Sequence, residues 1–96
     1  MRWLSPEVVR FNKFSQASDV WAFGCMLYEI STDGNLPFEE TSNETLVDML
    51  VRGEAPKFNK PTQFNQTIFE IMEECTKTAI NQRPTFVQIS QKIQNL

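Results

Sequence analysis

A chain of 96 residues holds one small domain and no more, and such a chain buries only ~60–65% of its unfolded surface. With 41% hydrophobic residues and eight phenylalanines it is globular in composition rather than disordered. A net charge of −3, with Lys and Arg scattered singly, argues against a nucleic-acid interface and against a basic membrane-surface helix.

The absence of histidine removes Ser–His and Cys–His nucleophile pairs, a histidine general base and most zinc sites. Cys25 and Cys75 have no metal-ligand spacing and lie in apolar surroundings. They are expected to be buried thiols of an intracellular protein, a disulfide being the lesser alternative. No metal site is expected. The longest apolar run, Val20 to Tyr28, is far short of the ~20 residues that span a membrane, and the N-terminus has no signal-peptide core.

In chain order, Ser5 followed by Pro6 predicts the start of a short helix reaching Phe11, with Ser5 as N-cap. The polar stretch Asn12 to Gln16 ends it. Ser18-Asp19 offers the cap of a second helix, in which Glu29 is the only charge between Val20 and Ile30. An apolar face all round predicts a helix at the centre of something rather than on a surface. Gly34 supplies a C-terminal stop. Leu36-Pro37-Phe38 reads as a turn with an apolar anchor. Thr41 and Glu44 then fit a capping box opening a third helix, with Leu46, Val47 and Leu50 on one stripe, that stops near Gly53.

Residues 54–64, with two prolines, form a loop. A fourth helix over about 65–77 places Ile68, Phe69, Ile71, Met72 and Cys75 inward. A second capping box, Thr85 with Gln88, opens a last helix whose stripe is Phe86, Ile89, Ile93 and Leu96. The expected fold is all-α, four main helices with a short one in front, and no strand pattern competes.

Three clusters and a smaller fourth resemble one family in the right order. Arg2-Trp3-Leu4-Ser5-Pro6-Glu7 is similar to the close of a protein kinase activation segment, of the Lys/Arg-Trp-Met/Leu-Ala/Ser-Pro-Glu type found in tyrosine kinases. Ser18-Asp19-Val20-Trp21-Ala22-Phe23-Gly24 resembles the opening of the large helix F. Cys75 through Arg83-Pro84-Thr85-Phe86 resembles the junction of helices H and I. Pro37-Phe38 fits the dipeptide before helix G. The resemblance covers essentially the whole chain. It implies that residues 1–96 are a partial protein kinase domain, namely the substrate-side (P+1) loop and helices EF to I of the C-terminal lobe.

Several roles follow from the resemblance alone. Trp3, Leu4 and Ser5 match the loop that receives the substrate residue next to the phosphorylated one; an apolar anchor and a helix cap would account for the same residue types. Glu7 and Arg83 would form a buried ion pair, for which arginine's planar fork suits a carboxylate. Asp19 would accept hydrogen bonds from the catalytic-loop backbone, and its residue type equally fits an N-terminal carboxylate favoured by the helix dipole. Trp21 and Gly24 are structural positions of helix F, and Trp21 and Tyr28 read first as core. The chain departs from the pattern at Thr76, where the family has Trp, and at Ala79-Ile80, where it has Asp-Pro.

Phosphoryl transfer needs a glycine-rich phosphate cover, a strand lysine, a catalytic Asp and a metal-binding Asp. The sequence contains no H-R-D or D-F-G, and its three glycines form no loop motif. The chain is therefore expected to be truncated on its N-terminal side, catalytically inactive alone, and to bind no cofactor. ATP and Mg²⁺ are implied for a full-length kinase. The implied partners are the N-lobe and catalytic loop of the same domain and a protein substrate, with no nucleic acid and no direct membrane contact. The implied location is cytoplasmic, as a soluble protein or the intracellular part of a receptor. Two alternatives stand beside a tyrosine kinase: a tyrosine-kinase-like Ser/Thr kinase, and a kinase-derived interaction module without catalysis. A free-standing domain is unattractive, because the central helix would lack neighbours.

Overall fold

The computed structural model describes residues 3–32, 34, 37, 38, 41–58 and 65–95. Among them the regular elements are all helical: α1 (Pro6–Phe11), α2 (Gln16–Ser31), α3 (Asn43–Val51), α4 (Gln66–Cys75), a single 3₁₀ turn (Ile80–Gln82) and α5 (Phe86–Gln94). None is long and apolar enough to cross a membrane. Leu36, the loop 59–64 and Leu96 lie outside the described residues.

The helix ends follow local chemistry, with shifts from the sequence reading. In α1 Pro6 occupies the first turn, where its missing N–H costs nothing. Ser5 stands at the N-cap position, but its hydroxyl makes no cap bond, and the residue is buried instead. Asn12 closes α1 in the left-handed region (φ 54°), its amide donating to the Val8 carbonyl at 2.9 Å.

α2 starts before the expected Ser18-Asp19 cap. The Ser15 amide donates to the Ser18 hydroxyl at 2.8 Å, and that hydroxyl donates to the Ser15 carbonyl at 2.7 Å, so Ser18 closes the helix start from inside its first turn. At the far end the Thr32 hydroxyl donates to the Tyr28 carbonyl at 2.7 Å and the Gly34 amide (φ 96°) to the Glu29 carbonyl at 2.8 Å.

The Thr41–Glu44 box does not form. Ser42 is the N-cap of α3, accepting from the Thr45 amide at 3.2 Å, while the Thr41 amide completes the preceding turn on the Phe38 carbonyl at 2.9 Å. Two adjacent hydroxyl residues compete for the cap, and the turn assigns it to the second. α3 ends as expected at Gly53 (φ 79°), with bonds from Gly53 to Leu50 and from Glu54 to Met49 forming a Schellman motif. Asn65 caps α4, accepting from the Ile68 amide at 3.1 Å. α4 stops at Cys75, short of the expected Lys77, and the Thr76 amide and hydroxyl both donate to the Met72 carbonyl, at 3.2 and 2.8 Å. The Thr85–Gln88 box of α5 is present, with distances of 2.9 and 3.2 Å.

The core has two clusters. The larger joins Trp21, Cys25 and Tyr28 of α2 with Phe38, Leu46, Leu50, Phe58, Phe69 and Met72; the smaller joins Val20, Ile71, Cys75 and Ile89. Phe38 is held at φ 57°, a conformation strained for a bulky residue. It is nevertheless buried, and its ring stacks on Phe58 at 4.8 Å, which stacks in turn on Tyr28 at 4.8 Å. α2 and α4 make the closest approach, at Gly24. A Cβ on Gly24 would sit 2.8 Å from the Cys75 Cβ and 3.4 Å from the Met72 carbonyl oxygen.

The helix expected to be enclosed on every side is covered on one. Val20, Trp21, Gly24, Cys25 and Tyr28 are buried; Ala22, Phe23, Met26 and Leu27 are half-buried; Ile30 is 65% exposed. The α5 stripe is similarly incomplete. Only Ile89 is buried, while Phe86 is 43% exposed and touches Phe23 edge-on at 6.0 Å. α5 is held to α4 at the surface by the Lys92–Glu74 ion pair.

Cys25 and Cys75 are both free and buried, and burial pushes each thiol up to about 12. At pH 8 both are therefore protonated and shielded. Iodoacetamide should leave them unmodified in the folded chain and alkylate both once urea unfolds it, as counted by mass spectrometry. Gly24→Ala gains about 1 kcal/mol of helix propensity but overpacks the α2–α4 contact by about 1–3 kcal/mol. The expected result is a lower urea midpoint than the native chain's.

The candidate functional site: a loop seated on a buried ion pair

The loop Trp3-Leu4-Ser5 leads directly into α1. Trp3 is 36% exposed, Leu4 is half-buried and Ser5 is buried, so the loop offers an indole outward and anchors through its last residue. The first turn of α1 carries Glu7, which points inward. Arg83, 76 positions later, meets it: both guanidinium nitrogens donate to the carboxylate, Nη1 to Oε2 and Nη2 to Oε1, each at 2.8 Å. The side chains are 7% and 1% exposed. This is the two-point geometry for which arginine is suited and lysine is not.

The remaining Arg83 donors are also used. Nε donates to the Lys77 carbonyl at 2.8 Å, Nη1 to the Ala17 carbonyl at 3.0 Å and Nη2 to the Thr78 carbonyl at 3.4 Å. All five N–H groups have an acceptor. The guanidinium also lies 5.1 Å from the ring centre of the fully buried Trp21, an additional cation–π attraction. One side chain thus joins α1, the first turn of α2 and the chain leaving α4. Burial opposes ionisation of Glu7, but hydrogen bonding, chiefly from Arg83, outweighs it and holds the carboxyl below its ordinary value of 4.5.

The other expected positions are distributed around this centre. Gly24 lies one turn along α2 from Trp21, at the close approach to α4. The Trp21 indole N–H has no acceptor among the described residues. Asp19 is exposed in the first turn of α2, where a carboxylate favours the helix dipole, and makes no ion pair among the described residues. Ala79 and Ile80, where the motif departs from the family, line an open groove of about 530 Å³ with Pro6, Arg10 and Phe11. No group of three or more metal-ligating side chains gathers among the described residues.

Sequence reasoning paired Glu7 with Arg83 through the resemblance but missed the carbonyls of Ala17, Lys77 and Thr78. Backbone acceptors carry no residue-type signal. The one available hint was arithmetic: a buried arginine has five donors and a single carboxylate cannot satisfy them.

Removing one partner of this pair leaves the other charged and buried, so Arg83→Ala and Glu7→Gln should each destabilise the domain by about 3–5 kcal/mol, read from urea unfolding. Because the folded pKa of Glu7 is lowered, its stabilising contribution is complete above the ordinary value of 4.5 and is lost as pH falls through the lower folded value. Stability measured between pH 7 and pH 3 should therefore fall on acidification, and Glu7→Gln should flatten part of that fall.

Comparison with known proteins gives the same assignment over the whole chain. A family model described as protein tyrosine and serine/threonine kinase matches residues 1–93. The mouse tyrosine-protein kinase TXK is 37% identical over 91 residues, covering 95% of this chain and 17% of the relative. The human tyrosine-protein kinase FRK is 36% identical, covering 99% of this chain and 18% of the relative. The mouse tyrosine-protein kinase Srms is 34% identical, covering 97% and 18%. The chain therefore spans less than a fifth of the length of these relatives. With its helical fold and its motifs in register, the chain belongs to the protein tyrosine and serine/threonine kinase family.

Proposed function

We propose that this chain forms the substrate-side platform of a protein tyrosine kinase that transfers the γ-phosphate of ATP to a protein tyrosine. The observation that carries the reading is the Glu7–Arg83 pair, which fixes Trp3-Leu4-Ser5 to α2 and to the segment after α4. A loop that must receive a peptide next to the reacting hydroxyl needs a rigid mount, since small misplacements are costly in rate. Trp3 and Leu4 offer the apolar contact, and Ser5 seats the loop. The tyrosine-kinase names of the relatives and the Arg2-Trp3 dipeptide favour tyrosine over serine or threonine.

ATP and Mg²⁺ supply the transferred group and neutralise its charge when bound. The motifs for holding them are absent from this sequence, so the reading places that work in the N-lobe and catalytic loop of the same domain. The less covered side of α2, with exposed Asp19 at its start, half-buried Phe23 and Met26 along it and exposed Ile30 near its end, is where those elements would rest. The reading places the domain in the cytoplasm, without nucleic-acid or direct membrane contact. The departures at Thr76 and Ala79-Ile80 favour one other reading, a kinase-derived module that binds proteins without catalysis.

The test has two parts. The 96-residue chain should neither bind Mg·ATP in calorimetry nor transfer phosphate. The longer polypeptide that contains it should phosphorylate tyrosine peptides in preference to serine peptides, with Trp3→Ala raising KM for peptide more than KM for ATP. Transfer to serine alone would indicate a Ser/Thr kinase, absence of transfer the binding module, and activity of the 96-residue chain would overturn the platform reading.

A further inference from the structure

Beside the buried ion pair, α1 and the chain segment after α4 together wall an open groove of about 530 Å³, α1 through Pro6, Arg10 and Phe11, the later segment through Ala79 and Ile80. Phe11 is 65% and Ile80 39% exposed, and Arg10 is exposed as well. From this juxtaposition of an unpaired guanidinium with two exposed apolar side chains we propose that the groove docks an acidic peptide segment of a partner protein, one that places a carboxylate beside an aliphatic or aromatic side chain. The proposal does not depend on whether the parent protein is catalytic.

Charge selects an acidic occupant. Arg10 makes no ion pair among the described residues. Glu7, the one carboxylate that lines the groove, is committed to Arg83 at two points, each 2.8 Å. Glu54, next to the groove residue Gly53, is paired with Arg52 at 3.4 Å. Position 79, where the kinase motif carries aspartate, is alanine, so the chain brings no carboxylate of its own there. Glu7 is also the only carboxylate before Asp19, against Arg2, Arg10 and Lys13, which makes this the basic end of a chain whose net charge is −3. A guanidinium without a counter-charge attracts a carboxylate, and its planar fork holds one at two points.

Shape and surface select a peptide. An open groove suits a chain laid across it, whereas small-molecule sites enclose most of their ligand. Buried Pro6 and half-buried Ala79 supply apolar lining, and Phe11 and Ile80 stand exposed where a partner's apolar side chain would cover them. Arg10 is placed without an occupant. Its guanidinium lies 4.8 Å from the Phe11 ring centre, and its Nη1 lies 3.1 Å from where a Cβ on Gly53 would stand. Stacking on a ring engages the flat face of the guanidinium and leaves its N–H edge for a carboxylate. Aromatic residues and arginine are also the types that carry most of the binding energy at protein interfaces.

The experiment titrates two end-blocked hexapeptides into the ¹⁵N-labelled chain, the acidic Asp-Glu-Leu-Phe-Glu-Asp and its neutral isostere Asn-Gln-Leu-Phe-Gln-Asn. The expected result is saturable amide shifts centred on residues 7–11, 53 and 78–81, with the neutral peptide bound about tenfold more weakly. Arg10→Ala should weaken the acidic peptide by about the same factor and the neutral one little. Ala79→Asp, which puts a carboxylate into the groove, should act in the same direction. Absence of saturable shifts, shifts centred elsewhere, equal affinity for the two peptides, or undiminished affinity in a folded Arg10→Ala chain would each overturn the proposal. Tighter binding of hexathymidylate at the same residues would overturn it too, making the groove a phosphate site. The two peptides compared on the native chain decide the matter even where a variant fails to fold.

Discussion

A single guanidinium organises this structure. Arg83 has five N–H donors, and together they meet acceptors from three parts of the chain: both Glu7 oxygens, the Ala17 carbonyl, and the carbonyls of Lys77 and Thr78. A charged group so far removed from water is tolerated only when it is fully paired, because its desolvation is otherwise unrecovered. The requirement works in both directions. The arginine needs all these segments to be present, and each segment is placed by the arginine. The Trp3-Leu4-Ser5 loop, the start of α2 and the exit from α4 are therefore not independently adjustable.

The second constraint is steric. Gly24 lets α2 and α4 approach until Cys75 is in contact, and this spacing sets the depth of both core clusters. Around that seam the aromatic stack of Phe38, Phe58 and Tyr28 holds a loop residue in the left-handed region. Such strain persists where burial and packing outweigh it. Phe38 is thus tied to α2 by stacked side chains and not only by chain connectivity.

The same packing covers α2 unevenly. On its outward side Ala22, Phe23, Met26 and Leu27 are half-buried and Ile30 is 65% exposed. That lighter cover accords with the proposed platform inside a larger kinase domain.

The helices, the Thr85–Gln88 cap, the Gly53 stop and the buried cysteines were legible in the sequence, because each depends on residues within a few positions of one another or on simple apolarity. The kinase motifs were legible too, as ordered patterns. What required the tertiary structure was every choice between local alternatives. Ser42 rather than Thr41 caps α3, its hydroxyl accepting from the Thr45 amide while the Thr41 amide closes the turn on the Phe38 carbonyl. α2 starts at Gln16 rather than beside Asp19 because Ser18 folds back onto Ser15. The all-round apolarity of α2 announced a central helix, yet only the packing shows which side is covered. Arg83's carbonyl acceptors were invisible for the same reason: composition records which groups need partners, and only the three-dimensional path of the backbone supplies them.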